Sequence, residues 1–431
     1  MLSLFIVGSE QMHKVVETHI LENNLSNEAE VWPLLKYQMT RHITLSKGVE
    51  DMEFKSKSYI SLLLSLIFSF CNLFRARFNK KATAYFGAFS RVSINEGVIY
   101  DEFVSPEKQK KLCTLYHCSN FEGVKLLTCF KRGVIFENLI IKLLVVFIKR
   151  FGGRARTPEL SEEFFALLNQ EYGVSKQTVE AFLLDYESKK AAYTKLLKWL
   201  GVQNVEIVSA YTKPAIVSAA NGLGIKTLEY QHGLLAPYHP SYHYVGEELW
   251  RSSMLPTRLK LYSSYWQMKM RQANFVPEHG IEVEGALPQA CDEVKKEVFN
   301  QVGNDKFFIF TGQGICYTEV ADFVASLIEQ FPNYTVVYRP HPREHQNHTQ
   351  LSALVQNEKF KVIDRDAYQD TLTLIGASKA HFSIFSSCHF EALELLGRTY
   401  VLDVVENNLM KEGGEDENII FITKASQIMD I

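Results

Sequence analysis

Between residues 305 and 402 the chain alternates apolar runs with amphipathic ones, and this alternation restricts the fold more than any other feature. "KFFIFTGQG" reads as a strand and a glycine loop, "EVADFVASLIEQF" as a helix, "YTVVYRPHP" as a strand and loop, and "KVIDR" as a short strand. "YQDTLTLIGAS" then reads as a helix, "KAHFSIFSS" as a strand and loop, "CHFEALELLG" as a helix and "RTYVLDV" as a strand. Short apolar strands joined by single helices favour parallel pairing, with the helices covering both faces. An earlier such block, the first in chain order, starts at residue 204, so 305–402 is the second. There "NVEIVSAY" reads as a buried strand, "KPAIVSAANGLG" as a helix with Pro214 in its first turn and a glycine stop, and "IKTLEYQHG" as the next strand and its exit loop. The expectation is an α/β protein with two parallel-sheet domains: residues 1–286, a charged, proline-marked linker at 287–304, and a Rossmann-like domain at 305–431.

The first 200 residues are less regular. "ATAYFGAFS" has strand character, while "SEEFFALLNQEYG" and "KKAAYTKLLKWLG" have helical spacing closed by glycine. The start, "MLSLFIVGSE", lacks a basic leader and meets Glu10, so it reads as a first buried strand rather than a signal peptide. Residues 1–160 carry 22 Lys and Arg against 15 Asp and Glu, although the whole chain has a net charge of −3. A basic N-terminal part suits an anionic partner such as a membrane surface, a phosphorylated lipid or an acidic glycan. Two apolar stretches, 58–81 and 138–156, are each followed by basic residues. They fit interfacial helices on anionic lipid, or core helices, better than full spans. The 7 cysteines have no CxxC or regular spacing, which points to a reducing, cytoplasmic setting. No nucleic-acid partner is expected.

Ligands of open parallel sheets bind at the carboxyl ends of the strands. Three loops of the second block lie there. In "TGQG" (Gly312, Gln313 and Gly314 after Thr311), the two glycines permit a tight turn or close approach to a phosphate. In "YRPHP", Arg339 and His341 lie on a loop stiffened by Pro340 and Pro342 and suit an anion. In "FSSCHFEALELLG", Ser386 and Ser387 fall at a helix N-terminus, and Glu391 one turn in could reach ribose hydroxyls. Together these loops suit a nucleotide phosphate. The first block has one counterpart, "YQHGLLAPYHPSYHY", at residues 230–244. His232, or Glu229 just before the loop, is a candidate general base. Tyr238, His239 and His243 form a candidate acceptor-side wall. A zinc site at His232, His239 and His243 is disfavoured by their spacing on a proline-broken loop with no cysteine beside them.

The strand ending in "QHG", the later strand ending in "RPHP" and the final "SS…EAL…LG…VLD" segment resemble bacterial surface-polysaccharide glycosyltransferases of GT-B fold. The related groups are capsule-synthesis Kdo transferases, polysialyltransferases and the glycerophosphotransferases of teichoic-acid synthesis. The resemblance covers residues 204–405. It implies two Rossmann-like domains facing a central cleft, and an activated sugar held mainly by the second. It also implies donor-phosphate contacts from His341, Ser386 and Ser387, and a catalytic role for His232. Transfer of a sugar from a nucleotide donor to a glycan or lipid-linked acceptor is the expected reaction, without a metal or other cofactor. The alternatives are a CDP-polyol phosphotransferase and a non-catalytic nucleotide- or sugar-binding partner of export machinery. The segment "GRTYVLD" lacks the small-residue-Pro pair usual after the glycine, and no acidic motif of the polysialyltransferases is present, which counts against CMP-sialic acid as donor.

Overall fold

A computed structural model describes residues 2–46, 59–88, 92–95, 98–101, 103–104, 106–117, 125–151, 156–231, 235, 239–246, 249, 252–262, 264–275, 277, 279–283, 292–341, 344, 348–364, 371–404, 410 and 416–428. The chain divides into two compact units, Met1–Glu284 and Gly285–Ile431. Each is built on a parallel β-sheet.

The first unit opens with α1 (Leu2–Glu22), α2 (Ser26–Ser46) and α3 (Tyr59–Phe78). The run β1 (Thr83–Gly87), β2 (Val92–Asn95), β3 (Val98–Asp101), α4 (Pro106–Lys111), β4 (Cys113–Tyr116), α5 (Leu126–Lys131), β5 (Ile135–Phe136) and α6 (Glu137–Phe151) follows. Then come α7 (Glu162–Tyr172), α8 (Lys176–Leu200), β6 (Asn204–Val208), α9 (Pro214–Gly222), β7 (Lys226–Tyr230), β8 (Arg258–Leu261), α10 (Ser264–Ala273) and β9 (Ile281–Val283). The boundaries of α7 and α8 follow from local chemistry. Ser161 and Ser175 cap the two N-termini through their hydroxyls, and Gly173 and Gly201 end them in the left-handed conformation.

Seven strands form one parallel sheet in the order β5-β4-β1-β6-β7-β8-β9. From β1 the chain builds outward to β4 and β5, then returns to place β6 on the other side of β1. The order of the strands therefore reverses between β1 and β6, which is the point where loops diverge and leave a crevice.

The second unit contains α11 (Asp292–Val302), β10 (Phe307–Thr311), α12 (Tyr317–Gln330), β11 (Thr335–Arg339), α13 (His348–Leu354), β12 (Phe360–Val362), α14 (Thr371–Ala377), β13 (Ala380–Ser383), α15 (Cys388–Leu396), β14 (Thr399–Leu402) and β15 (Ile419–Ile422). Its sheet is parallel throughout, ordered β12-β11-β10-β13-β14-β15, and the order reverses between β10 and β13. Strands buried on both faces explain the unbroken apolar runs: every residue of Phe307–Thr311 and Thr335–Arg339 is buried. One core layer joins Phe308, Phe310, Val324 and Phe382; the other joins Phe307, Ile309, Val337 and Leu374.

Two expectations are corrected. Residues 2–9 belong to helix α1, not to a strand. Beyond Glu10 its buried positions are His13, Val16, Glu17 and Ile20, a spacing of three to four that only a helix presents on one side. The stretch 287–304, expected to link the domains, contains helix α11, and its Val298 and Val302 are buried in the second unit's core. Every strand and helix read from the pattern of 305–402 is present, and the structure adds one helix that the pattern did not show, α13 between β11 and β12. The apolar stretch 58–81 contains α3, and 138–156 contains all of α6 but its first residue, Glu137.

Candidate functional site

In the first unit the reversal between β1 and β6 is occupied by a lysine. β6 ends at Val208, and Ser209 follows in the left-handed region with φ 60°, an unusual conformation for a residue with a side chain. The chain then makes a single 3₁₀ turn, Ala210–Thr212, before Pro214 starts α9. This sharp exit turns Lys213 back over the strand ends. Its ammonium donates to the carbonyls of Gly87, the last residue of β1, at 3.2 Å, and Val208, the last of β6, at 2.9 Å. Burial of the ammonium lowers its pKa to about 8, although the charges of Glu137, Glu229 and Asp101 oppose the shift.

Those three carboxylates come from separate elements and share this end of the sheet. Glu229, the next-to-last residue of β7, is 1% exposed. Its Oε1 accepts from the Ala210 backbone N–H at 2.9 Å and from the Tyr242 hydroxyl at 2.7 Å. Burial pushes its pKa up to about 7, against the pull of those two hydrogen bonds and of Lys213. Glu137 opens α6 directly after β5. It accepts from the Tyr193 hydroxyl at 2.9 Å and lies 3.8 Å from Nδ1 of the exposed His117, which follows β4. Burial raises it to about 6. Asp101 at the end of β3 accepts from the hydroxyls of Tyr85 and Tyr116 and from the Phe103 N–H, and burial raises its pKa too. The ends of β1, β3, β4, β5, β6 and β7 thus bring together one ammonium, three carboxylates and an imidazole. Two of the carboxylates change protonation near neutrality, which is what acid–base chemistry at that pH requires.

Of the residues read from the sequence, Glu229 falls in this cluster. His232 and Tyr238 lie outside the described residues. His239 is half-buried, with its ring 4.9 Å from that of Tyr242 and 5.3 Å from that of Tyr211. Burial, together with the charge of Lys36, lowers its pKa to about 4, so it is neutral at pH 7. Tyr242 and Tyr244 are core residues. The Lys36 ammonium bonds the His243 carbonyl and sits 4.5 Å above the Tyr244 ring, while Glu17 Oε2 accepts from the Val245 N–H. Helices α1 and α2 therefore hold the 239–245 turn in place. Lys213, Glu137, Asp101 and His117 were missed. The one local signal was "KP" after a strand, since Pro214 marks a helix start and places the preceding side chain at the strand exit.

In the second unit the loops after β10 and β11 are tied by a buried carboxylate that the sequence reading also missed. Glu344 Oε1 accepts from the hydroxyls of Tyr317 (2.9 Å) and Tyr338 (2.8 Å), and Oε2 accepts from the His341 N–H (2.9 Å). Gly312 is required by this arrangement: a Cβ there would lie 2.1 Å from the Tyr338 hydroxyl oxygen and 2.8 Å from Glu344 Oε2. Gly314 has φ +72°, and Gln313 between them is partly exposed. Arg339 is 3% exposed. Its guanidinium bonds the carbonyls of Ile363 and Asp364 and the Thr371 hydroxyl. It joins the β11, β12 and α14 ends, and so acts inside the unit rather than as the outward anion contact expected of it. His341 is partly exposed beside it.

The reversal between β10 and β13 is closed by Ser383, whose hydroxyl donates to the Thr311 carbonyl at 2.6 Å. Beneath the serine loop lie two buried imidazoles. His381 meets the Thr311 hydroxyl at 2.9 Å through Nε2 and the Thr399 hydroxyl at 2.7 Å through Nδ1; His389 Nδ1 meets the same Thr399 oxygen at 2.7 Å. Burial lowers both histidines, His389 to about 3, so both are neutral. One hydroxyl has one proton, so Thr399 donates to at most one ring, and at least one of the two rings donates to it. Above them Ser386 Oγ accepts from the Cys388 N–H at 3.2 Å. Ser387 occupies the N-cap of α15 without a capping bond from its side chain, and Glu391 lies in the first turn.

No protein-family model and no curated protein matches the chain. Among solved structures it is similar to the UDP-GlcNAc 2-epimerase of Neisseria meningitidis bound to UDP-GlcNAc, at 14% identity and a TM-score of 0.45 over 80% of this chain and 88% of that one. The UDP-GlcNAc 2-epimerase of Methanocaldococcus jannaschii gives 12% identity and 0.43 over 79% and 88%. The E. coli ADP-heptose lps heptosyltransferase II gives 14% and 0.33 over 53% and 72%. Similarity at this level carries no residue role or activity over to this chain.

Proposed function

We propose that the chain is a glycosyltransferase of GT-B type that moves a sugar from a nucleotide-activated donor to a glycan or lipid-linked acceptor in cell-surface polysaccharide synthesis, at the cytoplasmic side and without a metal. The observation that carries this reading is Glu229: a buried carboxylate at the carboxyl end of a parallel strand, with a pKa near 7, beside the Lys213 ammonium at the sheet's strand reversal. Such a carboxylate can take a proton from an acceptor hydroxyl as the glycosidic bond forms. Lys213 would hold an oxygen of the substrate or offset developing charge. His341 and the Ser386–Ser387 start of α15 flank the second unit's reversal and suit the donor's phosphates. His232 remains a candidate base by its place in the sequence.

The test begins with thermal shift of the purified protein against CMP, CDP, UDP, GDP and dTDP, because a ligand of the folded state raises the melting temperature. Transfer is then assayed with sugars of the stabilising nucleotide. A glycosidic product that Glu229→Gln loses supports the reading. A phosphodiester product replaces it with the polyol-phosphate reaction. Binding without turnover, unaffected by Glu229→Gln, leaves a nucleotide-binding partner.

A further inference from the structure

A water-facing helix stripe is ordinarily polar. On α3 it is not. Leu63, Ile67, Phe70, Phe74 and Phe78 recur every three to four residues along one stripe, and all five are exposed, from 40% at Phe70 to 78% at Phe78. On α6 the outward residues include Leu143, Val146, Phe147 and Phe151, the last 73% exposed. Ten of the seventeen exposed large apolar side chains among the described residues lie on these two helices.

The two stripes form one surface. Phe74 packs edge-on against Trp199 of α8 at 5.3 Å, and Lys195, one turn earlier on α8, stands 5.9 Å over the Phe147 ring. The end of α8 therefore bridges α3 to α6. On the other flank of α3, Phe68 stacks on Phe130 of α5 at 4.8 Å, and Arg75 sits over that same ring at 4.3 Å. An apolar face of this extent on a soluble domain marks a place of contact.

Its charge identifies the partner. Residues 61–81, 125–151 and 191–200, which build this face, contain twelve Lys and Arg and a single acid, Glu137, which is buried. Apolar side chains ringed by cations match the acyl boundary and anionic headgroups of a bilayer surface. The opposite stripe of α3 is fixed inside the unit. Asn72 donates to the carbonyls of Phe130 and Val134, Ser69 accepts from the Phe136 N–H, and Ser65 and Asn72 are buried. Although 18 residues of α3, Ser61–Phe78, have the hydropathy of a span, crossing a membrane would strip those bonds from β5 and α5.

We propose that the contiguous face formed by α3, α6 and the end of α8 docks this protein peripherally on the surface of an anionic bilayer. The face lies along β5, the edge strand of the first sheet, and the inference stands whether or not the chain transfers sugars.

The test is co-sedimentation of the full chain with phosphatidylcholine vesicles, with and without phosphatidylglycerol, at low and high salt. Binding at least about tenfold stronger to the anionic vesicles, weakened by salt, is expected. Leu63→Glu with Val146→Glu should lower it by about tenfold or more while the melting temperature holds, because both side chains are mostly exposed, at 60% and 63%. Lys149→Glu with Arg150→Glu should weaken binding to the anionic vesicles by about tenfold or more and reduce its salt dependence, while binding to neutral vesicles holds. Leu354→Glu, an exposed apolar residue of the second unit, should change nothing. Should the Leu63 and Val146 pair fail to fold, the Lys149 and Arg150 pair still decides. Equal binding to neutral vesicles, no binding, or variants that bind like wild type would overturn the proposal. So would retention at high salt and alkaline pH, which indicates a span, or a concentration-dependent dimer that Val146→Glu dissociates without vesicle binding.

Discussion

Glu229 holds a proton between about pH 4.5 and 7 that the unfolded chain has already lost. The folded state binds more protons across that window, so stability is greatest below it and falls as pH rises through 7, by about 3 kcal/mol in total. Glu229→Gln keeps an oxygen to accept from Ala210 and Tyr242 and removes the buried charge. Its melting temperature should exceed that of wild type at pH 8 and match it near pH 5, read by calorimetry. Under the proposed function, the variant's transfer rate should fall by roughly 10²–10⁴, the usual contribution of a general base. In wild type, kcat/KM should rise through about pH 7 as Glu229 ionises and fall through about pH 8 as Lys213 loses its proton. Tyr242→Phe removes a donor that favours the carboxylate, so the acid limb should move to higher pH. A profile unchanged in that variant would count against Glu229 as the base. Glu229 was legible in the sequence because it sits in a strand exit. Lys213, Glu137 and Asp101 were not, because each comes from a different strand and nothing local links them.

At the scale of elements, the second unit's loops are held by hubs of side chains. Gly312→Ala would drive a methyl against Tyr338, which is itself 2% exposed and bonded to Glu344. A loss of about 1–3 kcal/mol is expected in denaturant melts, as for other overpacked sites. Thr399→Val keeps the shape but leaves two buried imidazole nitrogens without their shared hydroxyl. The expected cost is about 1–3 kcal/mol for each unsatisfied group, with the resonances of Ser386 and Ser387 shifted in NMR spectra. The glycine loop and "RPHP" were visible as strand exits. That Gly312 serves packing, and that Arg339 ties β11 to the β12 exit and α14, became visible only once Tyr338, Glu344 and Asp364 had positions.

At the scale of the whole molecule, each unit carries its own sheet and core. Residues 285–431 expressed alone should therefore melt cooperatively, with native-like helix content by circular dichroism. A broad, non-cooperative transition would show that this core needs the rest of the chain. The sequence by itself determined that the chain builds parallel sheets covered by helices, because strand and helix periodicity is a local property of side-chain order. It misread residues 2–9, where a short apolar run suits either element until the partners of His13, Val16 and Ile20 are known. Only the tertiary structure decided the strand order, and with it the reversals at β1/β6 and β10/β13. Which strands become neighbours depends on contacts between residues far apart in the chain, and those contacts set Lys213 over Gly87 and Val208, Glu344 under two loops, and the apolar stripes of α3 and α6 on one face.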